Sequence, residues 1–360
     1  MNAVHSAQGE EAAPVLVTGG GGFIGCNLAD ALAARGTPVL VFDNVSRDGV
    51  QDNITWLKQR HGDRIEIEVA DIRDRDAVRR SVVRSSAVLH LAAQVAVTTS
   101  LIRPIDDFET NARGTLNVLE ALRLYNPRAP AVFASTNKVY GPLLGAGAFV
   151  RQGNRYIATD QRLALGVTET AVLDLYSPYG CSKGAADQYV RDYARVYGLR
   201  TVVLRMSCIY GPRQFGTEDQ GWIAHFMLQA IRRRPITIFG DGLQVRDALH
   251  VDDAVAAWIG TLNDIDSASG GIFNLGGGPE NAVSLLELLD LIARMRGDTP
   301  EVRFESGRPG DQPWYVSDTS ALSSAIGWRP RIQLQDGLRT LETWLCGRFG
   351  ATAVPDREVA

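Results

Sequence analysis

The chain has 360 residues, 45% of them hydrophobic and 22% charged, with a formal net charge of −4. That is chain enough for two lobes, or one large domain with an appendage, built around a buried apolar core. The weak negative balance argues against broad electrostatic binding to nucleic acid or acidic membranes, and neither a signal-type segment nor an apolar run of bilayer length is found.

Residues 1–13 are small and polar and read as a disordered tail. From Pro14 the pattern alternates short apolar strands with helical stretches. "PVLVTG" (14–19) is a strand, "FIGCNLADALAARG" (23–36) a helix ended by Gly36, and "PVLVFD" (38–43) a strand. "RIEIEVAD" (64–71) is a strand, "RDAVRRSVV" (75–83) a helix and "AVLHLAA" (87–93) a strand. "NARGTLNVLEALRLY" (111–125) is a helix and "PAVFAST" (130–136) a strand. A helix over 179–198 and the strand "RTVVLRMSCIYG" (200–211) follow. This alternation implies right-handed crossovers and a parallel sheet with helices on both faces. Residues 14–212 are therefore read as one doubly wound domain, with returns near 245–278. Residues 213–347, punctuated by Gly and Pro, are read mainly as a smaller lobe, and 348–360 as a second tail. Arg232-Arg233-Arg234 reads as a charged helix end. Cys26, Cys181, Cys208 and Cys346 lie far apart without CxxC or His partners, which suggests free thiols in a cytoplasmic protein and no metal site.

Two motifs carry chemistry. Gly19, Gly22 and Gly25 follow the first strand and open a helix. Glycines at that turn let a pyrophosphate approach the backbone, and the helix start offers free N–H groups and a positive dipole end. Asp43 ends the next strand, placed to accept from adenosine ribose hydroxyls and to repel an extra phosphate, so NAD is expected over NADP; Arg47 argues the other way. Asp71 ends the third strand, where it could reach the adenine or cap the helix that begins near Arg75. The second motif is Tyr179 and Lys183, at i and i+4 on one helix face. An ammonium beside a phenol favours the phenolate, making Tyr179 a base for a hydroxyl whose carbon loses hydride to NAD. Thr136, ending a strand of the same sheet, can hold the same oxygen. Without that context YxxxK reads as two exposed helix residues.

In this order the GxxGxxG turn, Asp43, Thr136 and YxxxK resemble the extended short-chain dehydrogenase/reductase family of nucleotide-sugar enzymes. "HLAAQ" (90–94), Asn111, "IYGPRQ" (209–214), "VRDALHVDD" (245–253), "FNLGGG" (273–278) and "GRPGDQ" (307–312) look like the family's later landmarks, so the likeness covers nearly the whole chain. It implies an α/β Rossmann-type doubly wound parallel sheet with a smaller C-terminal substrate-binding lobe, a tightly held NAD and a nucleotide-diphosphate sugar as substrate. It places Phe23, Ile24, Asn44, Ser46, Ile72, Leu91, Ala92, Ala93 and Asn111 beside the cofactor, with Gly19, Gly22, Gly25, Asp43, Arg47 and Asp71. It places Gln94, Asn137, Lys138, Ser207, Gln214, Phe239, Arg246, Arg308 and Asp311 beside the substrate. Arg246 is the best candidate for the diphosphate, whose oxygens match a guanidinium fork. Phe239 also ends an apolar strand and reads more readily as core. Many members carry an Asn where Cys208 stands, and a thiol cannot replace those amide bonds, so Ser207 is expected to serve instead.

Within the family, "FDNVSRDG", "STNKVYG", "YGPRQFGTEDQGW" and "QVRDALHVDD" are similar to the 2-epimerases of CDP-hexoses of the tyvelose type. That likeness implies inversion at C2 through a keto-sugar, with the hydride returned from the cofactor. Relatives that are 4,6-dehydratases carry an Asp-Glu pair after the Thr, and 4-epimerases carry small residues. Here the pair is Asn137-Lys138, with Asn137 expected on the sugar and Lys138 expected to orient the 143–175 loop over it. A 2-epimerase of another nucleotide hexose such as CDP-glucose, and a 4-epimerase or dehydratase of secondary metabolism, stay open as alternatives. A cofactor-sensing protein without turnover is disfavoured by the intact Thr136, Tyr179 and Lys183. Related enzymes pair through the helices at 111–125 and 179–197, so a homodimer or homotetramer is expected, with Tyr193 and Tyr197 at that face or in the core.

Overall fold

The computed structural model describes residues 12–143, 148–308 and 310–350. Most of both expected tails lies outside these residues. In chain order the first half is β1 (Val15–Thr18), α1 (Phe23–Ala34), β2 (Val39–Asp43), α2 (Val50–His61), β3 (Ile65–Val69), α3 (Arg75–Val83), β4 (Ala87–His90), α4 (Val97–Ile102), α5 (Pro104–Phe108), α6 (Gly114–Tyr125) and β5 (Ala131–Thr136). Then follow β6 (Phe149–Gln152), β7 (Arg155–Ala158), α7 (Ser177–Tyr197), β8 (Thr201–Met206), β9 (Cys208–Tyr210), α8 (Trp222–Arg232), β10 (Ile236–Phe239), β11 (Val245–His250), α9 (Val251–Asn263), α10 (Ile265–Ala268) and β12 (Ile272–Leu275). The chain closes with β13 (Ala282–Ser284), α11 (Leu285–Arg296), β14 (Val302–Glu305), β15 (Trp314–Tyr315), α12 (Ser320–Ile326) and α13 (Leu334–Phe349).

Seven strands form one sheet in the order β12-β8-β5-β4-β1-β2-β3, and every neighbouring pair is parallel. The sequence explains why. β1, β2, β4 and β5 are buried along their whole length, as a parallel sheet covered on both faces requires. Alternate residues go to opposite faces: Val15, Val17, Val39 and Val41 pack with Leu28, Leu57 and Trp258, whereas Leu16, Leu40 and Phe42 pack with Val78, Val118 and Val190. The strands thus join two helical layers at about 25 cal/mol for each Å² of apolar surface removed from water.

The remaining strands build the second lobe. β11 pairs with β9 and β15 in parallel and with β13 antiparallel, and β10 pairs with β14. α8, α11 and α13 enclose a separate core around Met227, Leu288 and Leu341. β12 is the return to the main sheet expected within 245–278. α8 ends at Arg232, the helix end expected from the basic cluster, and α13 runs to Phe349, past the expected lobe boundary at 347.

Three features depart from the sequence expectation. α2 was not anticipated because its composition is polar, although Val50, Ile54 and Leu57 recur at helical spacing and are buried. α4 and α5 are short and likewise unpredicted. The 143–175 segment, of which 144–147 lie outside the described residues, contains the β6–β7 hairpin. The hairpin docks on the second lobe: Tyr156 N–H donates to Leu243 O at 2.9 Å, Arg155 pairs with Glu287 at 2.6 Å, and Phe149 stacks on Trp314.

Candidate active site

The C-terminal ends of β1, β2, β4 and β5 converge on one edge of the sheet, where ligands of open α/β sheets bind. Gly19 follows β1 with φ +68, and a Cβ there would lie 2.8 Å from Ala92 N. A Cβ on Gly25 would lie 2.2 Å from Gly19 O. The turn therefore admits only glycine where it folds under the first turn of α1. Among the described residues no side chain caps α1, and the first-turn N–H groups of Phe23, Ile24 and Gly25, which have no intrahelical acceptor, form a positive end. Asp43, buried at the end of β2, accepts from Gly21 N at 3.0 Å and from Val45 N at 2.9 Å. Burial raises its pKa against those two bonds, and its remaining lone pairs are those a ribose diol would use. An uncapped helix start, a glycine cradle and a carboxylate beside it fit a dinucleotide.

Around this cradle, Asn44 donates to Asp71 at 3.0 Å, Asn44 accepts from the Ser46 hydroxyl at 2.7 Å, and Arg47 reaches Gln220 across the cleft. Asp71 is not a helix cap: Asp74 caps α3 through Asp76 N and Ala77 N. Asp71 instead takes a two-pronged hydrogen bond from Arg73, which with Asn44 holds its carboxyl below the usual range. Ile72 is core, and its carbonyl accepts from Asn117. The Leu91 and Ala92 N–H groups share Thr18 Oγ1 at 3.2 Å, and Ala93 continues that segment. Asn111 is buried and clamps Gln94 through both of its backbone groups, at 2.8 and 3.0 Å. Among the described residues Gln94 Oε1 is buried without a hydrogen-bond partner.

Tyr179 and Lys183 are buried on α7, not exposed. Burial raises the Tyr179 phenol to about 12, a hydrogen bond from Thr136 pulls it down, and Asp107 and Arg47 act in opposite directions. Lys183 is not among these influences. Its ammonium donates to Ala134 O at 2.5 Å and lies over the Phe133 ring; burial lowers its pKa to about 7, opposed by Asp187 and Asp107. The lysine is anchored to β5 through the Ala134 carbonyl.

Asn137 and Lys138 both turn toward the second lobe. Asn137 Nδ2 is 3.5 Å from Gln312 Oε1, and Lys138 Nζ is 3.4 Å from the same oxygen and 3.8 Å from Asp311. Among the described residues the Lys138 side chain meets Gln312 and Asp311, and Val139 O holds the 143–175 segment by accepting from Asp174 N at 3.2 Å. Burial and then the charge of Arg246 lower the Lys138 pKa to about 8, with Asp311 opposing them. Arg246, on β11, donates to Asp311 at 2.6 Å. Burial raises the Asp311 carboxyl, but Arg246 and Lys138 outweigh it and leave the carboxyl below its ordinary value. Arg308 lies 3.6 Å from the centre of the Phe239 ring and pairs with Asp219 at 3.1 Å, so Phe239 supports a guanidinium rather than belonging to a core cluster.

Two expected substrate residues make hydrogen bonds within the protein. The Ser207 hydroxyl is bonded to the buried Asp247. Gln214 Nε2 donates to Ile209 O at 3.2 Å, and its Oε1 is buried without a partner among the described residues. Cys208 accepts from Trp222 Nε1 at 3.0 Å, and burial pushes its thiol up to about 12. Sequence reasoning missed Gln312, Asp107 and Ser182. Gln312 adjoins Asp311 in a stretch already singled out, which was a usable signal; Asp107 and Ser182 carry none until α5 packs on α7.

The sequence profile described as the NAD dependent epimerase/dehydratase family matches residues 15–276. CDP-paratose 2-epimerase from Salmonella typhi is 42% identical over 339 residues, spanning 92% of this chain and 98% of that protein. The crystal structure of UDP-glucose 4-epimerase from Thermus thermophilus in complex with NAD superposes with a TM-score of 0.77 at 34% identity, covering 93% of this chain and 99% of that one. UDP-glucose 4-epimerase from Thermotoga maritima with UDP-glucose gives a TM-score of 0.80 at 30% identity with the same coverage.

Proposed function

Since the chain belongs to the NAD-dependent epimerase/dehydratase family, we propose that it epimerises a nucleotide-activated hexose at C2, a CDP-hexose of the paratose/tyvelose type. The observation that carries the choice of carbon is the Asn137–Lys138 pair, aimed at Gln312 and Asp311. No carboxylic acid follows Thr136 to expel water from the sugar, as a dehydratase would need. Two polar side chains stand where the resemblance expects small residues in a 4-epimerase. The relative that is 42% identical over most of the chain is a CDP-paratose 2-epimerase, which supports the same carbon and the same nucleotide.

NAD, when bound, supplies a reversible hydride acceptor whose oxidised ring carries positive charge. Tyr179 takes the proton of the C2 hydroxyl at its phenol oxygen, and Thr136, bonded to that phenol, holds the sugar oxygen. Asn137 contacts the sugar. Arg246 and Lys138, freed from Asp311 by a more anionic ligand, hold the diphosphate, and Arg308 on Phe239 lies toward the nucleoside. The keto-sugar turns its other face without leaving the pocket, so Tyr179 protonates the same oxygen. We assign residues 14–212, with β12, to NAD and the second lobe to the nucleotide sugar.

The test is incubation with CDP-, UDP-, GDP- and dTDP-hexoses, with products resolved by NMR. Inversion at C2 of a CDP-hexose, with no solvent deuterium at C2 in D₂O, is expected. Inversion at C4 or loss of water would overturn the reading, and deuterium at C2 would replace hydride return by enolisation.

A further inference from the structure

Asp107, on α5, has no solvent exposure, and no ion pair among the described residues includes it. Its oxygens accept from neutral donors: Ser182 Oγ at 2.5 Å and Asn111 Nδ2 at 3.1 Å. Ser182 sits on α7 between Tyr179 and Lys183, and the Asn111 amide also lies 3.1 Å from Ser182 Oγ. A carboxylate removed from water and bonded only to neutral groups leaves a large desolvation cost uncompensated. Asp187, the other buried carboxylate near Lys183, is in a different position, because Arg205 neutralises it with two bonds of 2.9 Å. The chain contains only three lysines, Lys58, Lys138 and Lys183, and Lys183 is buried with a carbonyl as its hydrogen-bond acceptor.

We propose that Asp107 is a positioning residue for the acid–base pair: an internal counter-charge, tied through Ser182 to the turn of α7 between Tyr179 and Lys183, whose negative charge acts on both. This deepens the reading of Tyr179 and Lys183 as the working pair and rests on it. The electrostatics agree in direction. Burial raises the Asp107 carboxyl, with the Ser182 hydrogen bond and the charge of Lys183 opposing it; Asp107 in turn raises the pKa of Tyr179 and of Lys183, and Asp187 acts on Lys183 but is not among the influences on Tyr179. The other groups facing the pair are Thr136 and Arg47 at Tyr179. His90, held neutral by burial between Thr18 and Thr115, faces Lys183.

The signs follow. Removing the charge of Asp107 lets Lys183 lose its proton at lower pH and lets the Tyr179 phenol ionise at lower pH. Three lysines make this directly readable. In protein labelled with ¹³C at lysine Cε and tyrosine Cζ, with signals assigned through Lys183→Met and Tyr179→Phe, both titrations are expected to move acidward by about one pH unit in Asp107→Asn. Ser182→Ala, which keeps the charge, leaves both near their original positions. Movement of neither signal, or of Lys183 alone, overturns the proposal, as does an equal shift in Ser182→Ala. If Asp107→Asn does not fold, Lys183→Met gives the reciprocal measurement: the ¹³Cγ signal of Asp107 must protonate at higher pH than in the unaltered protein, and an unchanged titration overturns the assignment. No substrate enters these measurements, so their failure is distinct from failure of the sugar panel.

Discussion

Tyr179 lies under opposed influences: burial and the charge of Asp107 push its phenol up, to about 12, and a hydrogen bond from Thr136 and the charge of Arg47 pull it down. A positive charge delivered beside it would tip that balance toward phenolate. Tyr179→Phe should lower turnover by about 10³-fold while leaving the far-UV spectrum and melting temperature near those of the parent; undiminished activity would remove the assigned base. Lys138 offers a test with pH. Its pKa is lowered to about 8, so the ammonium is present below that pH and lost above it. Affinity for a nucleotide-diphosphate sugar should weaken as pH rises through about 8, and Lys138→Met should weaken binding at pH 7 and flatten that dependence. Calorimetric titrations at several pH values would show either outcome. Tyr179, Lys183 and Thr136 were legible because each stands at a strand end or on one helix face. The direction in which Lys183 points was not legible, since it is set by Ala134 O on a strand some fifty residues away.

The elements carry their own constraints. The glycine turn between β1 and α1 is a local device: residue types and spacing are enough to place it, because a helix start after a buried strand offers few other geometries. Gly25→Ala puts a methyl 2.2 Å from a backbone oxygen that cannot swing aside. The variant should emerge from purification with far less bound dinucleotide, measured by absorbance of the acid-released fraction, and full occupancy would refute the cradle. The cap of α3 was harder to place. Asp71 and Asp74 both precede the helix in sequence; the bend after β3 delivers Asp74 to the first-turn N–H groups and turns Asp71 back toward Asn44. α2 was missed for a different reason. Its exposed face is polar enough to mask Val50, Ile54 and Leu57, whose spacing was a sufficient signal.

Across the molecule, the fully buried Arg205–Asp187 pair joins β8 to α7. From Arg205 the hydrogen bonds pass through the Tyr140 hydroxyl to Asn274 on β12, at 3.1 and then 2.7 Å. Arg205→Met should cost about 3–5 kcal/mol, because it strands a buried carboxylate. Urea denaturation would measure it, and a loss below about 1 kcal/mol would mean that the pair is dispensable. The alternation of apolar strands and helices was enough to specify a parallel, doubly wound sheet, and short-range spacing was enough to place the glycine cradle, Asp43, Thr136 and the Tyr179–Lys183 face. Both signals arise from backbone periodicity and so survive without knowledge of partners. The meeting of Asn137 and Lys138 with Gln312 and Asp311, the stacking of Arg308 on Phe239, the diversion of Ser207 to Asp247 and the burial of Asp107 against Ser182 arose only on folding. Each joins segments 40 or more residues apart, and which polar groups end up facing each other there is decided by crossover packing and burial.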